Sequence, residues 1–235
     1  MTAGNAVARP VSIDLAALGA AAAAALEDRI SAARLVCFPT DTVYGIGGAL
    51  TSAVAGALAA AKGREPGKPL QVVFATLEAF EAGVVLTPRL RTACRRLLPG
   101  PVTLLLPYPA DWDFPPPGTA GDACGLAAVA TLGVRVPAWP SAARVLAGLR
   151  RPLLASSANF SAAPPPACLR EIDASLLARC DLALDAGPVS GLASSVVDLS
   201  RYAETGRWRL LRAGVWGEAE VAARLGGMRE EPPTL

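Results

Sequence analysis

Lys62, Arg64 and Lys68 place three cations in one short segment, beside glycine and two prolines and between a helix-like and a strand-like run. That setting suits a polyphosphate better than a helix face, because cations held on a turn can converge on phosphate oxygens. A solvated charged loop is the alternative. The segment Gly63–Lys68 is not a phosphate-binding P-loop: three residues separate its glycines and Pro69 follows the lysine.

Three further segments carry groups able to meet a ligand. In Phe38–Gly48 a strand runs into a hydroxyl-rich turn, Thr40-Asp41-Thr42, followed by glycines that allow close backbone approach. Leu154–Ser161 sets Ser156, Ser157, Asn159 and Ser161 after an apolar strand, at the carboxyl end where open α/β sheets bind ligands. In Thr131–Pro137 the alternation puts Thr131, Gly133 and Arg135 on one strand face and Leu132, Val134 and Val136 on the other. An arginine turned inward requires an anion, most economically a ligand carboxylate or phosphate. Taken singly, these segments also read as ordinary turns.

Hydrophobic periodicity supplies the elements that position them. Helices are expected over Asp14–Ala33, Thr51–Ala61, Pro88–Leu98, Ser141–Leu149 and Glu218–Leu225, and Leu169, Ile172 and Leu176 share a helical face. Thr87 can cap the third of these helices, with Pro88 in its first turn. Strands are expected at Arg34–Phe38, Leu70–Ala75, Val102–Leu106, Leu126–Val136, Pro152–Ala155, Leu182–Leu184, Ser195–Leu199 and Arg209–Leu211. This mixed order predicts an α/β (α+β) fold. Residues 1–11 lack periodicity and read as a flexible N-terminal tail, leaving 12–235 as a single domain. The Gly/Pro clusters at Pro107–Gly125, Ser161–Ala167 and Gly187–Gly191 have strand-like runs on both sides, so they read as loops rather than linkers.

Composition narrows the chemistry. The 235 residues include no histidine, which removes Ser-His-Asp and Cys-His nucleophilic catalysis and HExxH metal sites. Five scattered cysteines without a CxxC pair point to a reduced, cytoplasmic protein and to no metal site built from side chains. The apolar run Leu15–Leu26 is too short to span a membrane. A formal charge of +2 and an aromatic content of 5% weigh against an RNA-binding module, although Arg89, Arg91, Arg95 and Arg96 lie on one helix.

In order, Pro39–Gly45 (PTDTVYG), Lys62–Arg64 (KGR), Pro99–Leu106 (PGPVTLLL), Gly133–Pro140 (GVRVPAWP), Ser156–Ser161 (SSANFS), Ser194–Ser200 (SSVVDLS) and Leu210–Gly214 (LLRAG) resemble the YrdC-like domain of L-threonylcarbamoyladenylate synthases. The resemblance runs from about Ser31 to Gly214. It implies a single domain whose twisted mixed sheet encloses a positively charged cavity. It also implies formation of threonylcarbamoyl-AMP and pyrophosphate from L-threonine, bicarbonate or CO2, and ATP carrying Mg²⁺. Nucleotidyl transfer of this kind serves threonylcarbamoyladenosine modification of tRNA, with a downstream threonylcarbamoyl transferase complex as partner and tRNA itself as a further candidate.

The resemblance assigns Lys62, Arg64, Ser157 and Asn159 to the catalytic set. It assigns Arg64, Lys68, Thr131, Ser157 and Arg212 to ATP, and Thr42, Arg135, Ala155 and Ser194 to threonine. The chain departs from the family pattern at several positions. Val73 stands where many members carry a threonine-contacting histidine, and Pro165 where some carry an ATP-contacting serine. Gly191–Ser195 lacks the usual glutamate, and Ala162 replaces a glycine. Besides the RNA-binding module, the other readings are a carbamoyl-transfer domain of the HypF kind and a nucleotide-binding paralogue without turnover.

Overall fold

The computed structural model describes residues 9–63, 70–108 and 131–226, and among them the apolar runs assemble into one mixed sheet. Its strands are β1 (Val11–Asp14), β2 (Val36–Phe38), β3 (Gly45–Ala49), β4 (Gln71–Val73), β5 (Val102–Pro107), β6 (Thr131–Arg135), β7 (Leu153–Ser157), β8 (Leu182–Asp185), β9 (Ser195–Asp198) and β10 (Arg209–Arg212). They lie in the order β1-β8-β2-β3-β7-β4-β6-β5-β9-β10. The helices are α1 (Ala23–Ala32), α2 (Ser52–Lys62), α3 (Leu77–Gly83), α4 (Pro88–Leu97), α5 (Ala174–Leu177), α6 (Tyr202–Thr205) and α7 (Glu218–Leu225), with a 3-10 helix at Ser141–Gly148.

Strand alternation divides the residues between two faces. Ile46, Val72, Leu104, Leu132, Val134, Leu154 and Val197 enter the larger core, which α2, α3, α4 and α7 cover. Val36, Phe38, Val73, Leu153 and Leu184 face the other way, into a smaller core closed by α1 and the 3-10 helix. Those two elements do not reach across the whole second face.

Local chemistry sets the helix ends. Thr51, Thr76 and Thr87 each accept a backbone N–H three residues on, capping α2, α3 and α4, and Pro88 occupies the first turn of α4. Gly63 ends α2 in the left-handed conformation, which leaves Lys62 as its last residue.

The structure corrects several expectations. The helix expected from Asp14 begins only at Ala23. Asp14 instead ends β1, and its side chain accepts the Ala16 N–H at 2.9 Å to cap a 3-10 turn. The expected tail does not extend through residue 11: Val11 pairs with Leu182 of β8, and its N–H reaches Asp181 O at 2.9 Å. Residues 1–8 lie outside the described residues. The alternation Val11-Ser12-Ile13-Asp14 carries that strand in a period too short to stand out. Gly45–Ala49 forms a central strand where the glycines suggested a turn. A Cβ at Gly47 would lie 1.8 Å from Leu154 O, so β3 approaches β7 more closely than any side chain permits. The Leu169–Leu176 helix is interrupted at Asp173, which caps the short α5 instead. The segment at Ser141 is a 3-10 helix, and α3 and α6 were not expected.

Candidate active site

Where α1 and the 3-10 helix leave the second face uncovered, a cavity of about 550 Å³ opens over β4, β6, β5 and β9. Its floor is built from Gln71, Thr103, Gly133, Arg135 and Ala155. Ser156, Ser157 and Asn159 form one wall at the end of β7, and Ser194 and Arg212 form the other. Glycine at 133 keeps the floor low, since a Cβ there would meet Leu70 O at 3.2 Å.

Arg135 is 2% exposed and directed from β6 into the turn after β2. Its Nη2 donates to Asp41 Oδ1 at 2.6 Å and to Thr42 Oγ1 at 2.9 Å, while Ala138 N–H donates to Asp41 Oδ2 at 3.2 Å. The inward arginine therefore takes its first counter-ion from the protein itself, where the sequence suggested a ligand anion. Its Nε has no partner among the described residues. Burial pushes the Asp41 carboxyl up, against the pull of the Arg135 guanidinium and the Ala138 N–H. Burial lowers Arg135, opposed by Asp41 and reinforced by the charge of Arg212. Arg135 thus feels one carboxylate, Asp41, and a second guanidinium, Arg212.

The turn bearing Asp41 is held from within. Thr40 Oγ1 donates to Val43 O at 2.7 Å, lies 3.0 Å from Thr42 Oγ1, and accepts from the Thr42 and Val43 N–H groups. Gly191 N–H donates to Thr42 O at 2.8 Å, joining this turn to the 187–193 loop.

Lys62 extends from the end of α2 to the carboxyl end of β7, donating from Nζ to Ser156 Oγ at 3.0 Å and Ser157 O at 2.5 Å. Beyond that strand, Asn159 Nδ2 donates to Ala163 O, and its buried Oδ1 has no partner among the described residues. This turn closes through Ala162, whose φ of 68° explains the usual glycine at its position. On the opposite wall Arg212 donates to Ser194 O at 2.8 Å and 3.1 Å and to Ser194 Oγ at 3.2 Å. Burial lowers Arg212 as well.

Lys62, Ala155, Ser157, Asn159, Arg135, Ser194 and Arg212 are thus brought to one cavity or its rim. Thr42 is fully buried and accepts from Arg135, while Thr131 starts β6 opposite Pro107, away from the lining. Arg64 and Lys68 lie outside the described residues, as does Cys124. Cys37, Cys94, Cys168 and Cys180 are buried thiols; burial pushes Cys94 and Cys180 up to about 12. Val73 is packed in the smaller core and does not line the cavity. Pro165 does line it.

Sequence reasoning missed Asp41, Gln71 and Thr103 as site residues. Asp41 stood inside a motif already singled out, and Gln71 is a polar residue interrupting an apolar strand. Three of the arginines on α4 have intramolecular roles. Arg95 pairs with Glu81 at 2.5 Å, Arg96 donates to Leu225 O at 2.6 Å, and Arg89 lies over the Tyr202 ring.

The Sua5/YciO/YrdC family model, described as "Telomere recombination", matches residues 28–214. The chain belongs to this family. It is 32% identical over 202 residues to the threonylcarbamoyl-AMP synthase of Pyrococcus abyssi, covering 85% of this chain and 56% of that protein. It is 35% identical over 202 residues to a putative threonylcarbamoyl-AMP synthase of Mycobacterium tuberculosis, covering 84% and 86%. The chain therefore spans little more than half of one relative and most of the other. Among solved structures, P. abyssi Sua5 complexed with L-threonine superposes with a TM-score of 0.71 at 28% identity, covering 95% of this chain and 62% of that one. No helix among the described residues is long and apolar enough to cross a membrane.

Proposed function

We propose that the chain is an L-threonylcarbamoyladenylate synthase, forming threonylcarbamoyl-AMP, pyrophosphate and water from L-threonine, bicarbonate and ATP. The observation that carries this reading is the convergence of Arg135, Arg212 and Lys62 on one cavity, with Arg135 Nε buried and without a partner among the described residues.

The site needs no nucleophile of its own. Bicarbonate takes up a proton and loses water to give CO2. The threonine amine attacks that carbon, forming a C–N bond, and the proton it sheds balances the one bicarbonate consumed. The resulting carbamate oxygen attacks the α-phosphorus, and the bond to pyrophosphate breaks. The protein's contribution is positioning and charge stabilisation. Arg135, fixed by Asp41 and Thr42, presents Nε to the amino-acid carboxylate, beside the Ala155 backbone and Ser194. Lys62, steered by Ser156 and Ser157, supplies positive charge where the strand end meets the phosphates. Asn159 Nδ2, which already donates to Ala163 O, has a second N–H for a phosphate oxygen. Its Oδ1 can only accept from a ligand N–H or O–H, and Arg212 supports the nucleotide from the other wall. By family resemblance, Arg64 and Lys68 add to the phosphate contacts and Thr131 to the nucleotide side. A Mg²⁺ ion carried by ATP would supply further positive charge to the phosphates. Among the described residues, no group of three or more Cys, Asp or Glu could hold a metal. The product passes to a cytoplasmic threonylcarbamoyl transferase that modifies tRNA.

The test is pyrophosphate release by the purified chain with ATP, Mg²⁺ and bicarbonate, with and without L-threonine. Threonine-dependent release is expected, with serine a poor substitute. ATP binding without release would overturn the reading in favour of a nucleotide-binding paralogue.

A further inference from the structure

Gln71 stands on the cavity floor, in register with Gly133 of β6 and Ala155 of β7. Its Oε1 accepts from Thr103 Oγ1 at 3.1 Å, and Thr103 Oγ1 lies 2.9 Å from Ser194 Oγ. Ser194 Oγ accepts in turn from Arg212 Nη2 at 3.2 Å. Thr103 and Ser194 are both buried.

A guanidinium can only donate, so the series starts at Arg212. Among the described residues, one assignment gives both hydroxyl hydrogens an acceptor: Ser194 donates to Thr103, and Thr103 donates to Gln71 Oε1. Every hydrogen bond then runs the same way, from the cation to the amide oxygen. Each step polarises the next, and the amide N–H₂ at the far end becomes a stronger donor. Gln71 Nε2 has no partner among the described residues.

A donor enhanced by a cation favours an anionic acceptor over a neutral hydroxyl. On the same face Val73 pairs with Arg135 one side-chain repeat further on. Arg135 and the residue opposite Gln71 are therefore about 7 Å apart along the strand. N-carboxythreonine carries a carboxylate at each end, one for each of two groups that share the cavity floor. With Arg135 taking the α-carboxylate, the group left to face Gln71 is the carbamate.

We propose that Gln71 is a substrate-contacting residue whose side-chain amide N–H holds the carbamate carboxylate, with Thr103 and Ser194 as positioning residues that fix the amide. This rests on the synthase reading above. It assigns binding of the bicarbonate-derived carbon to a residue outside the set inferred from the family.

The experiment compares wild type with Gln71→Leu and Gln71→Glu, measuring the bicarbonate half-saturation of threonine-dependent pyrophosphate release. L-threonine affinity is measured separately by calorimetry in bicarbonate-free buffer. Gln71→Leu is expected to raise bicarbonate half-saturation about ten- to hundredfold, the loss of one hydrogen bond to a charged group, with threonine affinity unchanged within about twofold. Gln71→Glu retains the acceptor for Thr103 but turns a carboxylate on the carbamate, so its loss should be larger still. Thr103→Val, which frees the amide without removing it, should shift bicarbonate half-saturation by less than Gln71→Leu. Unchanged bicarbonate half-saturation in both Gln71 variants overturns the proposal while leaving the synthase reading intact. Weakened threonine binding overturns it too, because Gln71 would then contact the amino acid itself. A wild-type protein without threonine-dependent release removes both readings together.

Discussion

The second face of the sheet carries two regions made from the same strands. Over β2, β3 and β8 and the outer residues of β4 and β7, Val36, Phe38, Val73 and Leu153 are sealed under α1 and the 3-10 helix. Over β4, β6, β5 and β9, Gln71, Thr103, Gly133 and Arg135 remain open to a cavity. The boundary passes within single strands: Gln71 is on the open side, and Val73, two residues later on the same face, is on the sealed side. Branched apolar side chains attract a covering helix because their burial stabilises it by about 1.5–3 kcal/mol each. Small and charged residues give a helix nothing to bury, and their donors remain available to a ligand.

That contrast predicts where mutations should act, and the largest effect is expected at the buried Arg135–Asp41 pair. Arg135→Leu leaves Asp41 buried without its guanidinium, costing about 3–5 kcal/mol of stability, and removes threonine binding. In this variant the folded-state pKa of Asp41 rises further above its unfolded value, so the folded state binds the proton more tightly. The deficit should shrink as pH falls toward about 4 and grow as pH rises from there. Denaturant melts across pH, with Asp41→Asn added to the variant as the rescue, would show it. An unchanged melt would mean the pair is not the anchor described.

In the sealed region, Leu146→Ala should cost about 3 kcal/mol through lost burial and a residual cavity. Its threonine half-saturation should not change; if that shifts instead, the two regions are not independent. Lys62→Ala should do the opposite, lowering turnover about hundredfold, equivalent to about 2.7 kcal/mol of barrier, at unchanged melting temperature. Pyrophosphate release with a parallel thermal melt separates these outcomes. The smallest effect is expected at the rim. Ala162→Gly relieves a left-handed φ and should stabilise by up to about 1 kcal/mol, with half-saturation constants preserved. A destabilised Ala162→Gly protein would show that the turn depends on the methyl group rather than tolerating it.

Much of this arrangement was legible in the chain. Alternation in Thr131–Val136 already separated Gly133 and Arg135 from Leu132 and Val134, and the structure places the two sets on opposite faces. The cap at Thr87 and the apolar strand leading to Ser156 and Ser157 followed from local residue chemistry, although β7 runs on through Ser157 and Thr51 caps α2 rather than opening it. Where local signals were weak or conflicting, sequence reasoning failed. Gly45–Ala49 carries turn-like composition because β7 leaves no room for side chains, and that crowding depends on a neighbour more than a hundred residues away. β1 is held to the sheet edge by β8, which no short window of sequence contains.

By itself, then, the sequence determined which chemistry was open to this protein. Without histidine, and with lysine, arginines and hydroxyls at strand ends, it is suited to holding anions rather than to nucleophilic attack. Only the tertiary structure decided how those groups are committed. It gave Arg135 an internal counter-ion in Asp41, turned Val73 under a helix, and linked Arg212 to Gln71 through two buried hydroxyls. The physical reason is range. Side-chain type and alternation act over a few residues, whereas desolvation and hydrogen-bond direction depend on residues joined only by the fold.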